Sequence, residues 1–283
     1  MKIVIGTANF LRKYTYKNQA VSKSEIIKIL NYAKSNKINS LDTAFEYDKF
    51  YTLRKEIKFN KFLISTKIIF TKKLLNRKNL YQNIENSVQK KLRLFKIEKF
   101  ENLFIHNFDQ LNHHDLKLLE PLLLILKKKK LIRNIGISVY DTSALKKIKN
   151  LDFINIIQAP INLFDRRFTT KKIVNFLKKK KIKLQARSIF LQGKLLDSFK
   201  KTTFKKNKIY INYNSWLIEK NRQPLKTCLD YIKSESCISS LVIGINNMNQ
   251  LKEIINFTKN KKKLEFPLKI QTFNKKIIDP RIW

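Results

Sequence analysis

Residues 99–138 read KFENLFIHNFDQLNHHDLKLLEPLLLILKKKKLIRNIGIS. A short run of apolar and aromatic residues, 99–106, gives way to a polar turn. A segment with apolar residues at helical spacing follows, 115–129, and then a second β-favouring run, 132–138. Strand, helix, strand in this order predicts a βαβ unit, because two neighbouring parallel strands need such a crossover. The lysine run 127–130 falls where the helix would end, and cations suit the negative end of a helix dipole.

The alternation continues in both directions. Further strand candidates lie at 2–6, 38–43, 62–67, 153–159, 182–187 and 240–244, and helix candidates at 24–35, 76–94, 143–149, 170–180, 223–234 and 249–258. Ser22-x-x-Glu25 opens the first helix as a capping box. Residues 49–56 make a poor helix but fill the one remaining helix slot. Eight strands, each followed by a helix slot, predict a (β/α)8 barrel, an α/β TIM-type fold, as a single domain over 1–283. An open doubly wound sheet would need a reversal of strand order and usually a glycine-rich first turn. Here the first strand ends in Gly6-Thr7-Ala8-Asn9, with no G-x-G-x-x-G.

Composition narrows the function classes. The chain of 283 residues is 43% hydrophobic and 29% charged, which supports a sizeable core and excludes intrinsic disorder. No run approaches the ~18 consecutive apolar residues of a membrane span. The start, MKIVIGTANF, lacks the long apolar stretch of a secretory signal, so a cytoplasmic protein is expected. Two cysteines, Cys228 and Cys237, make neither a disulfide framework nor a metal spacing.

The formal net charge of +40 suggests a nucleic-acid binder at first sight. Of the 61 basic residues, however, 10 are Arg and 51 are Lys, while Gly (4), Pro (5) and Trp (2) are scarce. This is the profile of a strongly AT-biased coding sequence. The lysine runs 127–130, 178–181 and 261–263 fall at helix ends, on the face of a barrel opposite its active site. A solvated basic underside is therefore expected, with neither nucleic acid nor membrane as a partner. The oligomeric state is left open.

A barrel keeps its chemistry at the C-terminal ends of its strands. Strand two ends in Asp42-Thr43-Ala44 with Tyr47 just beyond, strand three in Thr66-Lys67, and strand four in His106. Each residue alone has an ordinary reading: a turn cap, a packed ring, one lysine among many, a histidine bonded to a carbonyl. His113 and His114 lie together in a polar turn, and no metal site is expected. Taken together the four suit one task. A phenol with a pKa of ~10 is a weak acid at neutral pH, and a neighbouring ammonium makes it stronger. A carboxylate holds the ammonium, and an imidazole orients a substrate oxygen. The set makes a general acid for a carbonyl oxygen, and hydride is the natural attacker of the carbon.

These segments resemble the aldo-keto reductase superfamily. The resemblance rests on Asp42-Thr43-Ala44-x-x-Tyr47, Ser65-Thr66-Lys67, Leu103-Phe104-Ile105-His106 and Ile132 to Ser138, in this order. It continues through Gln158-x-x-x-Asn162-x-x-x-Arg166, Ala186 to Gly193, and Val242-Ile243-Gly244 with Gln250-Leu251-x-Glu253, and covers nearly the whole chain. It implies a barrel oxidoreductase that binds NADPH or NADH without a Rossmann domain, uses no metal, and acts on a small carbonyl compound. Tyr47 matches the proton donor, Lys67 and Asp42 the groups that tune it, and His106 the residue that orients the carbonyl. Ser138 and Gln158 match contacts to the carboxamide, and Arg187 stands where an aromatic ring often stacks on the nicotinamide. Ser188, Phe190, Gln192 and Gly193 match the pyrophosphate loop, and Gly244, Gln250 and Glu253 the adenosine side.

The sequence departs from the family at several positions. Val139 replaces a frequent Asn, and Asp48 a frequent Gly after the Tyr. Gly244 and Gln250 stand where many members carry basic residues for a 2′-phosphate, so NADPH and NADH both stay open; a nearby lysine such as Lys252 is the candidate substitute. All four glycines fall within the stretch that the resemblance covers, from about Gly6 onward, which suggests a cofactor-lined mouth. The short tail ends in Trp283, which either covers the site or packs on the barrel, packing being the expectation. Two alternatives share the fold: a lyase or aldolase forming a Schiff base at Lys67, and a non-catalytic nicotinamide-nucleotide-binding protein.

Overall fold

Eight parallel strands close into a barrel in sequence order in the computed structural model. The structure describes residues 1–13, 20–47, 49–197, 207–258 and 265–283. The strands are β1 (Lys2–Gly6), β2 (Ser40–Asp42), β3 (Leu63–Ile68), β4 (Phe100–Ile105), β5 (Ile132–Ser138), β6 (Ile156–Pro160), β7 (Lys183–Arg187) and β8 (Ile238–Gly244). Closure comes from β1 lying against β8, with Lys2 opposite Ser240 through to Gly6 opposite Gly244. The described helices are α1 (Lys23–Ser35), α2 (Lys72–Leu75), α3 (Leu80–Phe95), α4 (His113–Lys128), α5 (Ala144–Ile148), α6 (Lys171–Lys179), α7 (Lys208–Glu219), α8 (Pro224–Ser234), α9 (Met248–Thr258) and α10 (Lys275–Ile278). None is long and apolar enough to cross a membrane.

Each outer helix buries one stripe against the barrel. In α4, Leu116, Leu119, Leu122, Leu123 and Leu126 are buried, and each such side chain contributes about 1.5–3 kcal/mol. That packing tolerates Pro121 inside the helix, where a proline removes one backbone hydrogen bond. His113 opens this helix rather than lying in the turn before it, and Asn112 with Asp115 forms a complete capping box. In α1 only half of the expected box is present. Ser22 Oγ accepts from the Glu25 N–H at 3.3 Å, but the Glu25 carboxylate crosses to α9 and accepts from the Met248 N–H at 2.7 Å.

The sequence-predicted helix 76–94 corresponds to α3, which starts only at Leu80; a separate short helix, α2, precedes it and has Asn76 as its C-cap. Residues 50–55 form a 3₁₀ segment where a poor helix was expected. The sequence reading misses α7 entirely. Its stretch KIYINYNSWLIE is rich in β-branched and aromatic residues, so its local preferences point to strand.

Five helices end in the same way. After α1, α3, α4, α6 and α7 a residue with left-handed φ turns the chain: Lys37 (60°), Lys96 (53°), Lys130 (57°), Lys181 (54°) and Asn221 (46°). After α1, Lys37 N–H reaches Lys34 O at 3.0 Å and Ile38 N–H reaches Ala33 O at 2.9 Å, the paired bonds of a Schellman motif. The same pair recurs at Lys96 and Ile97, Lys130 and Leu131, Lys181 and Ile182, and Asn221 and Arg222. Glycine ordinarily fills this position; here lysine fills four of the five. The lysine runs at 127–130 and 178–181 thus close α4 and α6, on the face where β5 and β7 begin. The run 261–263 lies outside the described residues.

Candidate active site

Strand register sets the centre of the site. Asp42 ends β2 and Lys67 sits near the end of the adjacent β3. Their side chains, 8% and 4% exposed, form an ion pair between Asp42 Oδ2 and Lys67 Nζ. Lys67 Nζ also donates to Thr43 O at 3.2 Å. Burial pushes the Lys67 ammonium below its usual range, and the Asp42 carboxylate opposes that shift. The other Asp42 oxygen accepts from Gln158 Nε2 at 2.9 Å. Gln158 Nε2 also donates to Gln185 Oε1 at 2.7 Å, and Gln185 Nε2 to Ser240 Oγ at 2.9 Å. A chain of polar side chains therefore crosses the barrel interior from β3 to β8, so the ion pair is held at both carboxylate oxygens.

Tyr47 and His106 come from the loops after β2 and β4. The Tyr47 ring lies 4.9 Å from the Arg12 guanidinium. The His106 backbone N–H bonds Ile68 O at 2.8 Å, which fixes the residue against the end of β3. Its Nδ1 lies 3.7 Å from Glu46 Oε2. Burial would raise the Glu46 carboxyl, but His106 and nearby backbone N–H groups outweigh it and hold the carboxyl below its usual range. Asp48 lies outside the described residues.

All fourteen residues singled out in the sequence line one cavity of about 660 Å³ at the C-terminal mouth: Asp42, Tyr47, Lys67, His106, Ser138, Gln158, Arg187, Ser188, Phe190, Gln192, Gly193, Gly244, Gln250 and Glu253. That volume lies within the range of small-molecule and cofactor sites, roughly 300–1,000 Å³. Gly6 lines it too, whereas Gly136 does not. A Cβ at Gly136 would come within 2.4 Å of Phe104 Cδ1 and 2.9 Å of Ile156 Cγ2, so that glycine answers to barrel packing. At Gly244 an added Cβ would meet nothing within 4 Å.

The loop after β7 is strained. Ser188 (φ 56°), Leu191 (49°) and Gln192 (54°) are left-handed without being glycine, and Gly193 (96°) follows. Such conformations cost of order 1–3 kcal/mol each and collect at functional sites. Phe190 (φ −102°, ψ 9°) followed by left-handed Leu191 is a right-then-left pairing, the backbone geometry that gathers N–H groups into an anion nest.

Sequence reading misses several residues here. Tyr140 lines the cavity, and its ring carries the Arg187 guanidinium at 3.9 Å and the Arg281 guanidinium at 3.8 Å. Both guanidinium groups therefore lie against the one Tyr140 ring. Arg187 also donates to Val139 O at 3.1 Å, and Arg281 is held by both oxygens of Asp279. Pro280 lines the cavity and Lys194 Nζ lies 3.0 Å from the Trp283 ring centroid, so the tail borders the mouth. Arg166 anchors that tail through Phe266 O and Pro267 O, each at 3.1 Å. Asn9 reaches Ile245 O at 3.0 Å and Asn246 Oδ1 at 2.7 Å. Strand-end position could have pointed to Asn9 and Tyr140, just beyond β1 and β5; the tail residues carry no such signal. No group of three or more His, Cys, Asp or Glu suited to a metal occurs among the described residues.

Comparison with known proteins agrees with the barrel fold. The model of the aldo/keto reductase family matches residues 2–274. The chain belongs to the aldo/keto reductase family. Membership makes it an oxidoreductase of the kind that acts on small carbonyl compounds with a nicotinamide nucleotide. Among solved structures, one from Pseudomonas aeruginosa assigned as an aldo-keto reductase is similar at TM-score 0.62 and 16% identity, covering 90% of this chain and 88% of that one. An aldo-keto reductase enzyme from a Medee basin deep-sea metagenome library is similar at TM-score 0.68 and 12% identity, covering 95% and 89%. At these identities the likeness concerns the fold. No curated protein matches the chain significantly in sequence.

Proposed function

We propose that this aldo/keto reductase reduces an aldehyde or ketone to an alcohol, or runs the reverse, with NADH or NADPH. The observation that carries the reading is the convergence of Asp42, Tyr47, Lys67 and His106 on one cavity above the barrel. Three features of the chain suit a nicotinamide dinucleotide. Gly244 leaves open space beside the cavity, the Phe190–Leu191 turn suits a pyrophosphate, and the buried Asn9 Oδ1 has no hydrogen-bond partner.

In this reading Ser138 and Gln158 hold the carboxamide. With its amide protons given to Asp42 and Gln185, Gln158 offers that group its oxygen. Arg187 borders the nicotinamide with one face already on Tyr140. Ser188, Phe190, Gln192 and Gly193 hold the pyrophosphate, and Gly244, Gln250 and Glu253 the adenosine. The bound nucleotide supplies hydride to the carbonyl carbon. Tyr47 gives its phenol proton to the carbonyl oxygen as negative charge develops there, which is general acid catalysis. Lys67, fixed by Asp42, stabilises the phenolate left behind. His106 orients the carbonyl oxygen, and Glu46 sits behind its ring.

Fluorescence titration with NADH and NADPH, followed by a screen of carbonyl substrates, tests the reading. Saturable binding of a reduced nucleotide and turnover of a carbonyl compound are expected. Binding of neither nucleotide refutes it. The burial that lowers Lys67 also favours the Schiff-base alternative; trapping of a substrate adduct by borohydride would select that reading instead.

A further inference from the structure

We infer that Lys194 is a covalent-modification site: its amine, stacked on the Trp283 indole beside the mouth cavity, condenses with small aldehydes ahead of the other lysines of the chain. The inference stands on the packing of two segments and does not depend on the oxidoreductase reading.

Lys194 follows the strained loop after β7. Gly193 before it and Leu196 and Asp197 after it line the cavity, as does Pro280 on the tail. Its turn is fixed, because the Lys194 N–H bonds Leu191 O at 3.1 Å and the flanking Leu191 and Leu195 are buried. The Lys194 side chain is half-buried, and its Nζ lies 3.0 Å from the Trp283 ring centroid. The indole is itself 40% exposed, so the pair is open to small molecules on one side.

An ammonium over an indole face gains attraction from the ring, but the same packing takes water away from the charge. Among the described residues, no carboxylate within ion-pair distance of Lys194 Nζ makes up the loss. Asp279 is held by Arg281, Asp197 lies along the cavity wall, and the neighbouring cations Arg187 and Arg281 both rest on Tyr140. Burial alone pushes the Lys194 ammonium down to about 8. At neutral pH such an amine is unprotonated roughly a tenth of the time, against roughly a few parts in ten thousand for a free lysine. Lys67 shows the contrast. Burial depresses it too, but Asp42 holds it in an ion pair inside the barrel.

The step needs nothing beyond its two reactants. The unprotonated nitrogen adds its lone pair to the carbonyl carbon, and the π pair of the C=O bond moves to oxygen. The carbinolamine so formed loses that oxygen as water and leaves a C=N bond. Hydrolysis reverses it. The added carbon takes the space between Nζ and the ring, so the adduct displaces the indole.

The test treats the whole protein, without nucleotide, with acetaldehyde and cyanoborohydride, which fixes each imine as an N-ethyl group. Labelling is kept sub-stoichiometric and mapped by mass spectrometry after chymotryptic digestion. At neutral pH Lys194 is expected to label on the order of tenfold faster than exposed lysines, its surplus of unprotonated amine being offset in part by its half-buried position. That ratio should shrink as pH rises toward ~10, because the other lysines then gain unprotonated amine. Trp283→Ala returns water to the nitrogen and should bring the neutral-pH ratio to within about threefold of unity, whereas Trp283→Phe, which keeps a ring, should preserve most of it. A wild-type ratio near unity at neutral pH overturns the inference. So does a ratio that is high but flat with pH, which marks an accessible lysine rather than a deprotonated one. Label gathered at Lys67 overturns it as well and belongs to the Schiff-base reading.

Discussion

Replacing Lys37, Lys96, Lys130 and Lys181 together by glycine is expected to stabilise the protein. All four are exposed and hold φ between 53° and 60°. A residue with a Cβ in that conformation costs about 1–2 kcal/mol. Glycine avoids this cost but loses about 0.5–1 kcal/mol of chain entropy on folding, which leaves a net gain near 0.5–1 kcal/mol per site. The sites end four different helices, so their contributions add, to about 2–4 kcal/mol in all. At ~2.1 cal/mol/K of unfolding entropy per residue, a chain of this length gains about 1.7 °C per kcal/mol, hence a Tm rise of about 3–7 °C. Thermal unfolding followed by circular dichroism or calorimetry reads it. The change also removes four positive charges from a chain of net +40, which relieves repulsion by itself. The quadruple alanine variant separates the two causes: it removes the same charges and keeps the Cβ. If alanine raises Tm as much as glycine does, the backbone argument is wrong.

Three further outcomes are expected. Tyr47→Phe should lower carbonyl reduction by about 10²–10⁴-fold while the nucleotide Kd changes little; retained turnover would remove Tyr47 as the proton donor. Gly136→Ala should destabilise the barrel by about 1–3 kcal/mol, because the new methyl meets Phe104 and Ile156 inside van der Waals distance; denaturant titration with an unchanged midpoint would refute this. Asp141→Asn should cost up to about 1 kcal/mol at neutral pH, with the difference closing in acid. The Ser143 N–H and the Lys275 ammonium outweigh burial and hold the Asp141 carboxyl at about 2, below the usual ~3.9. Its contribution is therefore present above pH ~4 and lost as pH falls toward ~2. A gap between the two proteins that persists at pH 2 would contradict the assignment.

The barrel was legible in the sequence because β-branched runs and helical stripes alternate at a regular interval, and each strand candidate overlaps a real strand. Some boundaries differ: β2 is three residues, Ser40–Asp42, inside a candidate of 38–43, whereas β8 starts at Ile238, ahead of a candidate of 240–244. Local preference failed at α7, where buried Tyr213, Trp216 and Leu217 anchor a helix that its composition does not announce. The cavity residues were legible because strand-end position and residue type coincide at Asp42, Lys67, His106 and Ser138. Contacts made between distant segments were not. Nothing local in Glu25 indicates that it caps α9, and nothing near Tyr140 announces Arg281 from the other end of the chain. Lys252 was a reasonable partner for a 2′-phosphate by sequence distance, but its side chain leans on Tyr32.

The tail that ends in Trp283 has a practical consequence for anyone handling the protein. Pro280 borders the cavity, Arg281 grips Tyr140, and the indole of Trp283 covers Lys194. An affinity tag joined after Trp283 would emerge close in sequence to Pro280, which lines the cavity. It would also pull on a ring stacked against Arg187, so altered affinities in such a fusion would report on the tag as much as on the enzyme. Residue 2 enters the barrel from the other side, the length of β1 away, about 16 Å at 3.3 Å per residue. A tag placed there leaves the mouth untouched.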